Sequence, residues 1–184
     1  LTIAVSGCAT GSQEHRLTTN IQSLEFNSIL SEYRIRPTFV TLQEMNDGTE
    51  LFKIEMDSYQ PDKQGINPSI SISRKYLNDN IDALNKYLKW NEIALNRKDQ
   101  FTKNIDKVKA WDNSSFVIEN EYTFHSGNEN KHYVSIVTCA LDNCNPSQRS
   151  PIMLDSNNVK ILLNELNSFQ ESKFKKVNID NVYN

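Results

Sequence analysis

The sequence predicts an α+β fold: an antiparallel sheet of about six strands with helices on one face. Three observations carry that expectation. Residues 37–56 and 116–141 each alternate apolar and polar side chains about a central turn signature. A short apolar run follows each pair, at 70–72 and 152–154. After each run, apolar residues recur every three to four positions, the period of a helix with one buried face.

The first pair is specific enough to fix its register. Residues 37–45 and 50–56 flank Asn46-Asp47-Gly48, a hairpin signal. A two-residue loop would pair Leu42 with Lys53 and Gln43 with Phe52, mixing polar and apolar groups on both faces. A three-residue loop with Gly48 in the left-handed conformation pairs Leu42 with Phe52, Val40 with Ile54, Gln43 with Leu51 and Thr41 with Lys53. Only that register makes one face apolar.

Gly65 and Pro68 punctuate a loop before the strand Ile70-Ser71-Ile72, and Ser73 stands where a helix cap belongs. Leu77, Ile81, Leu84, Tyr87 and Leu88 then mark a buried stripe. The pattern runs on through Leu95, Phe101, Ile105 and Val108 toward Trp111, as one long helix or as two with a break at 97–100. Lys86, Lys89, Glu92 and Lys98 form its solvated side. Of the aromatics, Tyr87 falls on the stripe and Trp90 at its edge, where packing accounts for both.

The second hairpin places Phe116, Ile118, Tyr122 and Phe124 on its first strand and begins its turn at Ser126-Gly127-Asn128. The return strand, 133–141, is apolar on both faces and therefore reads as central in its sheet. Asp155 then caps a helix through Phe169, and the basic residues 173–176 read as its frayed end. Residues 21–33 fit neither a helix nor a strand period, and both readings stay open there.

The order suggests a duplication. Leu77, Ile81, Leu84 and Tyr87 follow Ser73 at the same offsets at which Val159, Leu163, Leu166 and Phe169 follow Asp155. Each cap is preceded by a strand, and each strand by a hairpin.

Composition narrows the partner. Hydrophobic residues make up 38% of the 184, enough for one core, and the net charge is −3 with no basic stripe. A nucleic-acid partner is not expected. Asparagine is common throughout, including in stretches that read as helix, where it is a mediocre former.

Near the N-terminus, Leu1-Thr2-Ile3-Ala4 is apolar, Val5-Ser6-Gly7-Cys8 follows, and the next residues are polar. This segment resembles the lipobox of bacterial lipoproteins. The resemblance implies that residues 1–7 are the remnant of a signal peptide and that Cys8 carries a diacylglycerol. Residues 8–20 would then be a lipidated, flexible tether and 21–184 a single α+β domain. Each buried acyl CH₂ contributes about 0.8 kcal/mol, so multiple chains hold such a protein on its membrane. Ala9, in place of aspartate, resembles the outer-membrane class, which places the domain on that membrane facing the periplasm.

With Cys8 assigned to lipid, Cys139 and Cys144 remain as an even pair in a compartment that permits disulfides, and a bridge between them is expected. The competing reading is a metal site combining these thiols with His125 and His132, although the spacing matches no standard zinc pattern. Those histidines flank the second turn, where cross-strand proximity would let them bind a metal or move protons. Glu119 and Glu121 share one strand face and read as its wet side. There is no G-x-S-x-G elbow, and Gly7–Ser12 lacks the ending of a phosphate loop. No catalytic residue and no cofactor is expected. The leading functional expectation is a non-catalytic, lipid-anchored envelope protein that contacts another envelope protein. Alternatives are a small envelope hydrolase or metal binder using His125 and His132, and an inhibitor or immunity-type lipoprotein.

Overall fold

The computed structural model describes residues 12–61, 65–113, 115–140, 144 and 150–174. The lipobox with Cys8 and the end of the basic tail lie outside the described residues. Among the described residues, ten strands form two antiparallel sheets, and two helices complete an α+β fold.

The first hairpin comprises β4 (Thr38–Met45) and β5 (Glu50–Met56). Its register is the one that separates polar from apolar: Leu42 pairs with Phe52, Val40 with Ile54, Gln43 with Leu51 and Thr41 with Lys53. Gly48 takes φ +83°, which a glycine adopts without steric penalty, and its amide donates to the Met45 carbonyl to close the three-residue loop. β6 (Ser69–Ser73) follows and pairs with β5. The second hairpin comprises β8 (Val117–Asn128) and β9 (Lys131–Ala140), and β9 also pairs with β10 (Ile152–Asp155). β9 is thus an interior strand, which explains its two apolar faces.

These six strands are the six legible in the sequence, but they do not form one sheet. Four more strands divide them into sheets of four and six. β1 (Ser12–Leu17) lies against β4, giving the order β1-β4-β5-β6. The segment expected to be tether therefore contains a strand. β1 is an edge strand of which only Leu17 is buried, so its sequence lacks the alternation that one-sided burial imposes. β2 (Ser23–Asn27) and β3 (Glu32–Arg36) resolve the open reading of 21–33 as a hairpin.

β7 (Thr102–Asp112) replaces the expected helical continuation through Trp111. Its pairing with β8 slips twice, leaving Ile105 and Ala110 as extra residues, and both are buried. Each bulge shifts which positions face inward. Ile105, Val108 and Trp111 consequently follow one another at helix-like spacings along β7, with Phe101 just before it. The second sheet has the order β3-β2-β10-β9-β8-β7.

The helices are α1 (Leu77–Arg97), entered through a 3-10 turn at Arg74–Tyr76, and α2 (Ser156–Gln170). Asp155 caps α2 as expected, accepting a 2.8 Å bond from the Asn158 amide. Ser73 does not cap: the 3-10 turn separates it from α1, and its buried hydroxyl bonds no group among the described residues. Arg74, in that turn, instead reaches the carbonyls of Phe169 and Gln170 and pairs with Glu50 at 2.5 Å. Its charge thereby meets the negative end of α2.

Hairpin, strand and helix do occur twice, as β4-β5-β6-α1 and β8-β9-β10-α2. The repeat is larger than the sequence suggested, because β1 and β7 each flank the first strand of their hairpin. Among the described residues the β2–β3 hairpin has no counterpart. It extends the second sheet, with Leu24 opposite Met153, and so ties the first unit to the second.

One continuous core holds residues of both sheets and both helices, including Val40, Phe52, Ile72, Leu84, Tyr87, Phe124, Ile136, Leu154, Leu166 and Phe169. A polar junction crosses it. Asn80 of α1 donates to the carbonyls of Tyr76 (2.7 Å) and Lys109 (2.9 Å), and accepts from Tyr122 (2.7 Å) and Asn120 (3.3 Å). Asn120 also donates to the Ser71 carbonyl at 3.3 Å, while Thr138 donates to that of Ser69 at 2.9 Å. Two side chains of the second sheet thus satisfy carbonyls on the free edge of β6, where another strand could otherwise add.

Candidate functional site

The structure separates the two histidines. His125 pairs with Tyr133 and His132 with Ser126, so the histidines stand one position out of phase on opposite faces of the β8–β9 hairpin. The expected cross-strand pair therefore does not exist. His132 points inward: its ring lies 5.2 Å from Phe124, Nδ1 is 2.9 Å from the Ser126 hydroxyl, and Nε2 is buried without a partner among the described residues. His125 lies on the outer face, its Nδ1 2.9 Å from the Thr102 hydroxyl and its ring 6.2 Å from Tyr33.

Burial holds the His132 imidazole below its ordinary value of 6.5. The unfolded chain therefore binds the proton more readily than the folded one. Stability conferred by the neutral ring is complete above pH 6.5 and is lost as pH falls through the depressed value. Urea midpoints measured from pH 7 to pH 5 should fall, and His132→Gln should flatten that slope. His125, which burial depresses in the same direction, contributes to the slope left in the variant, while Glu165, whose carboxyl burial raises, opposes it.

Cys139 and Cys144 form a disulfide with their Cα atoms 4.4 Å apart. Glu121 lies beside them, with its carboxylate and the two sulfurs within 4.8 Å of one another, but both sulfurs are committed to their bond. Cys139 is seven positions along β9 from His132, about 23 Å of strand, so thiols and histidines form no joint metal site. Replacing both cysteines by serine should lower stability by about 2 kcal/mol, since the closed loop is short. Paired thermal melts would measure this.

Glu119 and Glu121 occupy the wet face as expected. Lys107 reaches Glu119 at 2.7 Å, and Asn104 donates to Glu121 at 2.7 Å. Tyr87 is a core residue whose hydroxyl donates to the His132 carbonyl at 2.8 Å. Trp111 packs edge-on to Phe116, with ring centroids 5.2 Å apart.

Two apolar surface features stand out among the described residues. The first is the β2–β3 hairpin. Of the ten large hydrophobic residues exposed among the described residues, four belong to it: Phe26 (52%), Ile29 (91%), Leu30 (54%) and Ile35 (58%). Its tip is held open by Asn27, whose side-chain oxygen accepts from the amides of Ile29 (3.1 Å) and Leu30 (3.0 Å). Beneath it the outer face continues as an aromatic row, with Phe26 to Tyr33 at 5.3 Å and Tyr33 to Tyr133 at 4.4 Å. Gly127 permits this packing, because an added Cβ would come within 3.0 Å of the Tyr133 ring. The polar side of the hairpin is tied down separately. Arg36 donates to the Asp57 carbonyl at 2.7 Å and stacks on Tyr59, while Glu25 accepts from Ser58 and from the Tyr59 amide. The exposed apolar groups therefore sit on a fixed scaffold.

The second feature is a cleft of about 490 Å³ between the C-terminal half of α1 and the start of β7, lined by Trp90, Ile93, Ala94, Asp99, Phe101 and Lys103. Lys98, at φ +58°, reverses the chain after α1 and brings Phe101 back beside Trp90. Phe101 is pinned there by backbone bonds: its amide donates to the Ser126 hydroxyl and its carbonyl accepts from the Ser126 amide.

No known protein family, curated protein or solved structure matches the chain.

Proposed function

We propose that this is a non-catalytic, lipid-anchored envelope protein whose β2–β3 hairpin docks on another envelope protein. The observation that carries the reading is the concentration of exposed apolar side chains on that one hairpin. Contiguous exposed apolar surface on an otherwise polar protein marks an interaction site. Exposed hydrophobics at a preorganised turn also lose little entropy when they bind.

The position of the hairpin is consistent with an anchor at Cys8. Ser12 pairs with Met45 at the turn end of β4, whereas the hairpin begins at Ser23, bonded to Thr38 at the other end. Those ends are about 23 Å apart along the strand. A lipid on Cys8, four residues before Ser12, would keep one end of the first sheet near the bilayer. The base of the hairpin would stand farther from it. Tethering restricts the domain to a thin layer and raises its effective concentration for partners on the same membrane.

The reading has two independent tests. A photo-crosslinking residue at Ile29 should trap a specific envelope protein in living cells, and one at exposed Lys89 on α1 should not. Ile29→Asp combined with Leu30→Asp should abolish that adduct while leaving the melting temperature unchanged. Equal crosslinking at both sites, or none at Ile29, rejects the docking surface. The anchor is tested by metabolic labelling with a clickable palmitate analogue, expected in the wild type and absent in Cys8→Ser.

A further inference from the structure

The cleft beside Trp90 is separate from the hairpin face and has its own chemistry. Its walls are apolar: Trp90, Ile93 and Ala94 from α1, and Phe101 from the segment after it. The floor is a packed aromatic group. Phe101 stacks on Phe124 with centroids 4.6 Å apart, and Trp90 lies 6.2 Å from Phe124 and 6.3 Å from Phe101. Ile93 is 45% exposed although its neighbour Ala94 is fully buried, so apolar surface is left open at the mouth. A volume of about 490 Å³ lies within the range, roughly 300–1,000 Å³, of pockets that hold small molecules.

Charge at the rim decides what would fill it. Asp99 is neutralised by Arg97 at 2.6 Å. Lys86 donates to the Ile105 carbonyl at 2.7 Å and lies 4.0 Å from Asp106. Lys103 has no carboxylate within ion-pair distance among the described residues. Its ammonium rests over the Trp90 ring, 5.3 Å from the centroid. Among the described residues, the mouth therefore offers in Lys103 a cation with no carboxylate partner above an apolar trough. The shape of the hydrophobic part follows from the same contacts. Lys86 and Lys103 both sit over the indole of Trp90, at 5.6 and 5.3 Å, and occupy the ring surface on which a flat aromatic ligand would stack. A flexible chain lying along Ile93, Ala94 and Phe101 needs no such surface.

We infer that this cleft binds an anionic amphiphile, a single alkyl chain ending in a carboxylate, with the chain against Ile93, Ala94 and Phe101 and the carboxylate on Lys103. Removal of the alkyl surface from water supplies the affinity. The Lys103 ammonium selects the sign of the head group.

Trp90 reports binding directly. In a Trp111→Phe background its emission would be titrated with dodecanoate, dodecanol and dodecyltrimethylammonium, each below its micellar concentration. Dodecanoate should give a saturable change and bind more tightly than dodecanol, and the ammonium compound should bind most weakly. Lys103→Ala should weaken dodecanoate by about threefold to fivefold, as for an exposed ion pair, and leave dodecanol unaffected. Ile93→Asp, at an exposed position that leaves folding intact, should weaken all three by about tenfold or more. The inference fails if no saturable change occurs, if the three probes bind equally, or if neither substitution alters the dodecanoate titration.

Discussion

Asn80→Ala is expected to destabilise the protein by at least about 3 kcal/mol, a large share of what a domain of this size has. Asn80 is fully buried at the meeting point of α1 with β7 and β8. Its side chain makes four hydrogen bonds, two as donor and two as acceptor. Truncation takes the Asn80 partner from the Lys109 carbonyl, from the Tyr122 hydroxyl and from one N–H of the Asn120 amide, whose bond to the Ser71 carbonyl remains, and removes one bond from the Tyr76 carbonyl. Each such buried group costs about 1–3 kcal/mol when left unsatisfied. The Tyr122 phenol has no alternative as an anion, because burial pushes its ionisation well above the ordinary 10.0. Urea denaturation should show a lowered midpoint. Asn85→Ala, on the exposed side of the same helix, should change stability by no more than about 0.5 kcal/mol. Equal effects at the two positions would show that the network contributes nothing specific.

Phe124→Ala should cost about 3–5 kcal/mol, the range for deleting a buried aromatic ring. Phe124 is fully buried and lies at the centre of an aromatic group, with Phe101 at 4.6 Å, His132 at 5.2 Å, Tyr87 at 5.8 Å and Trp90 at 6.2 Å. Its loss removes the floor on which Phe101 stacks, so two readouts should move together. The denaturation midpoint falls, and the emission of Trp90 shifts to the red as water reaches the cleft. A lowered midpoint with unchanged emission would mean that the cleft does not depend on this ring. Phe124→Leu, which keeps most of the volume, should recover the greater part of the stability.

How far each element could be read depends on how its side chains divide between core and water. The hairpin at 38–56 was legible to the residue, because a slip of one position would have turned Phe52 and Ile54 to solvent. Asp155 was legible as a cap because a carboxylate at that offset satisfies an amide of the first helical turn. Ser73 shows the limit of the same argument. An identical position in the repeat is followed by a 3-10 turn, and Arg74 there serves the end of the other helix.

The strands that went unread failed for different reasons. β1 presents almost nothing to the core, and β7 carries two bulges that convert a two-residue alternation into a helical spacing. The β2–β3 hairpin was ambiguous because four of its apolar residues, Phe26, Ile29, Leu30 and Ile35, are exposed while Leu24 is buried. In sequence, a hydrophobic residue awaiting a partner looks the same as one inside a core. The same limit applies to the site. His125 and His132 are close in sequence, yet a phase difference of one residue places them on opposite sides of a sheet. The cleft beside Trp90 was invisible because its walls come from a helix end and from a strand that read as helix.

The amino-acid sequence by itself determined the α+β class, the six core strands, the repeated order of hairpin, strand and helix, and the Cys139–Cys144 bridge. These depend on short-range periodicity, turn chemistry and a separation of a few residues. Tertiary structure alone decided that the strands divide between two sheets, that Asn120 and Thr138 close the edge of β6, and which apolar side chains remain uncovered. Those outcomes depend on contacts between residues far apart in the chain, and no local pattern carries them.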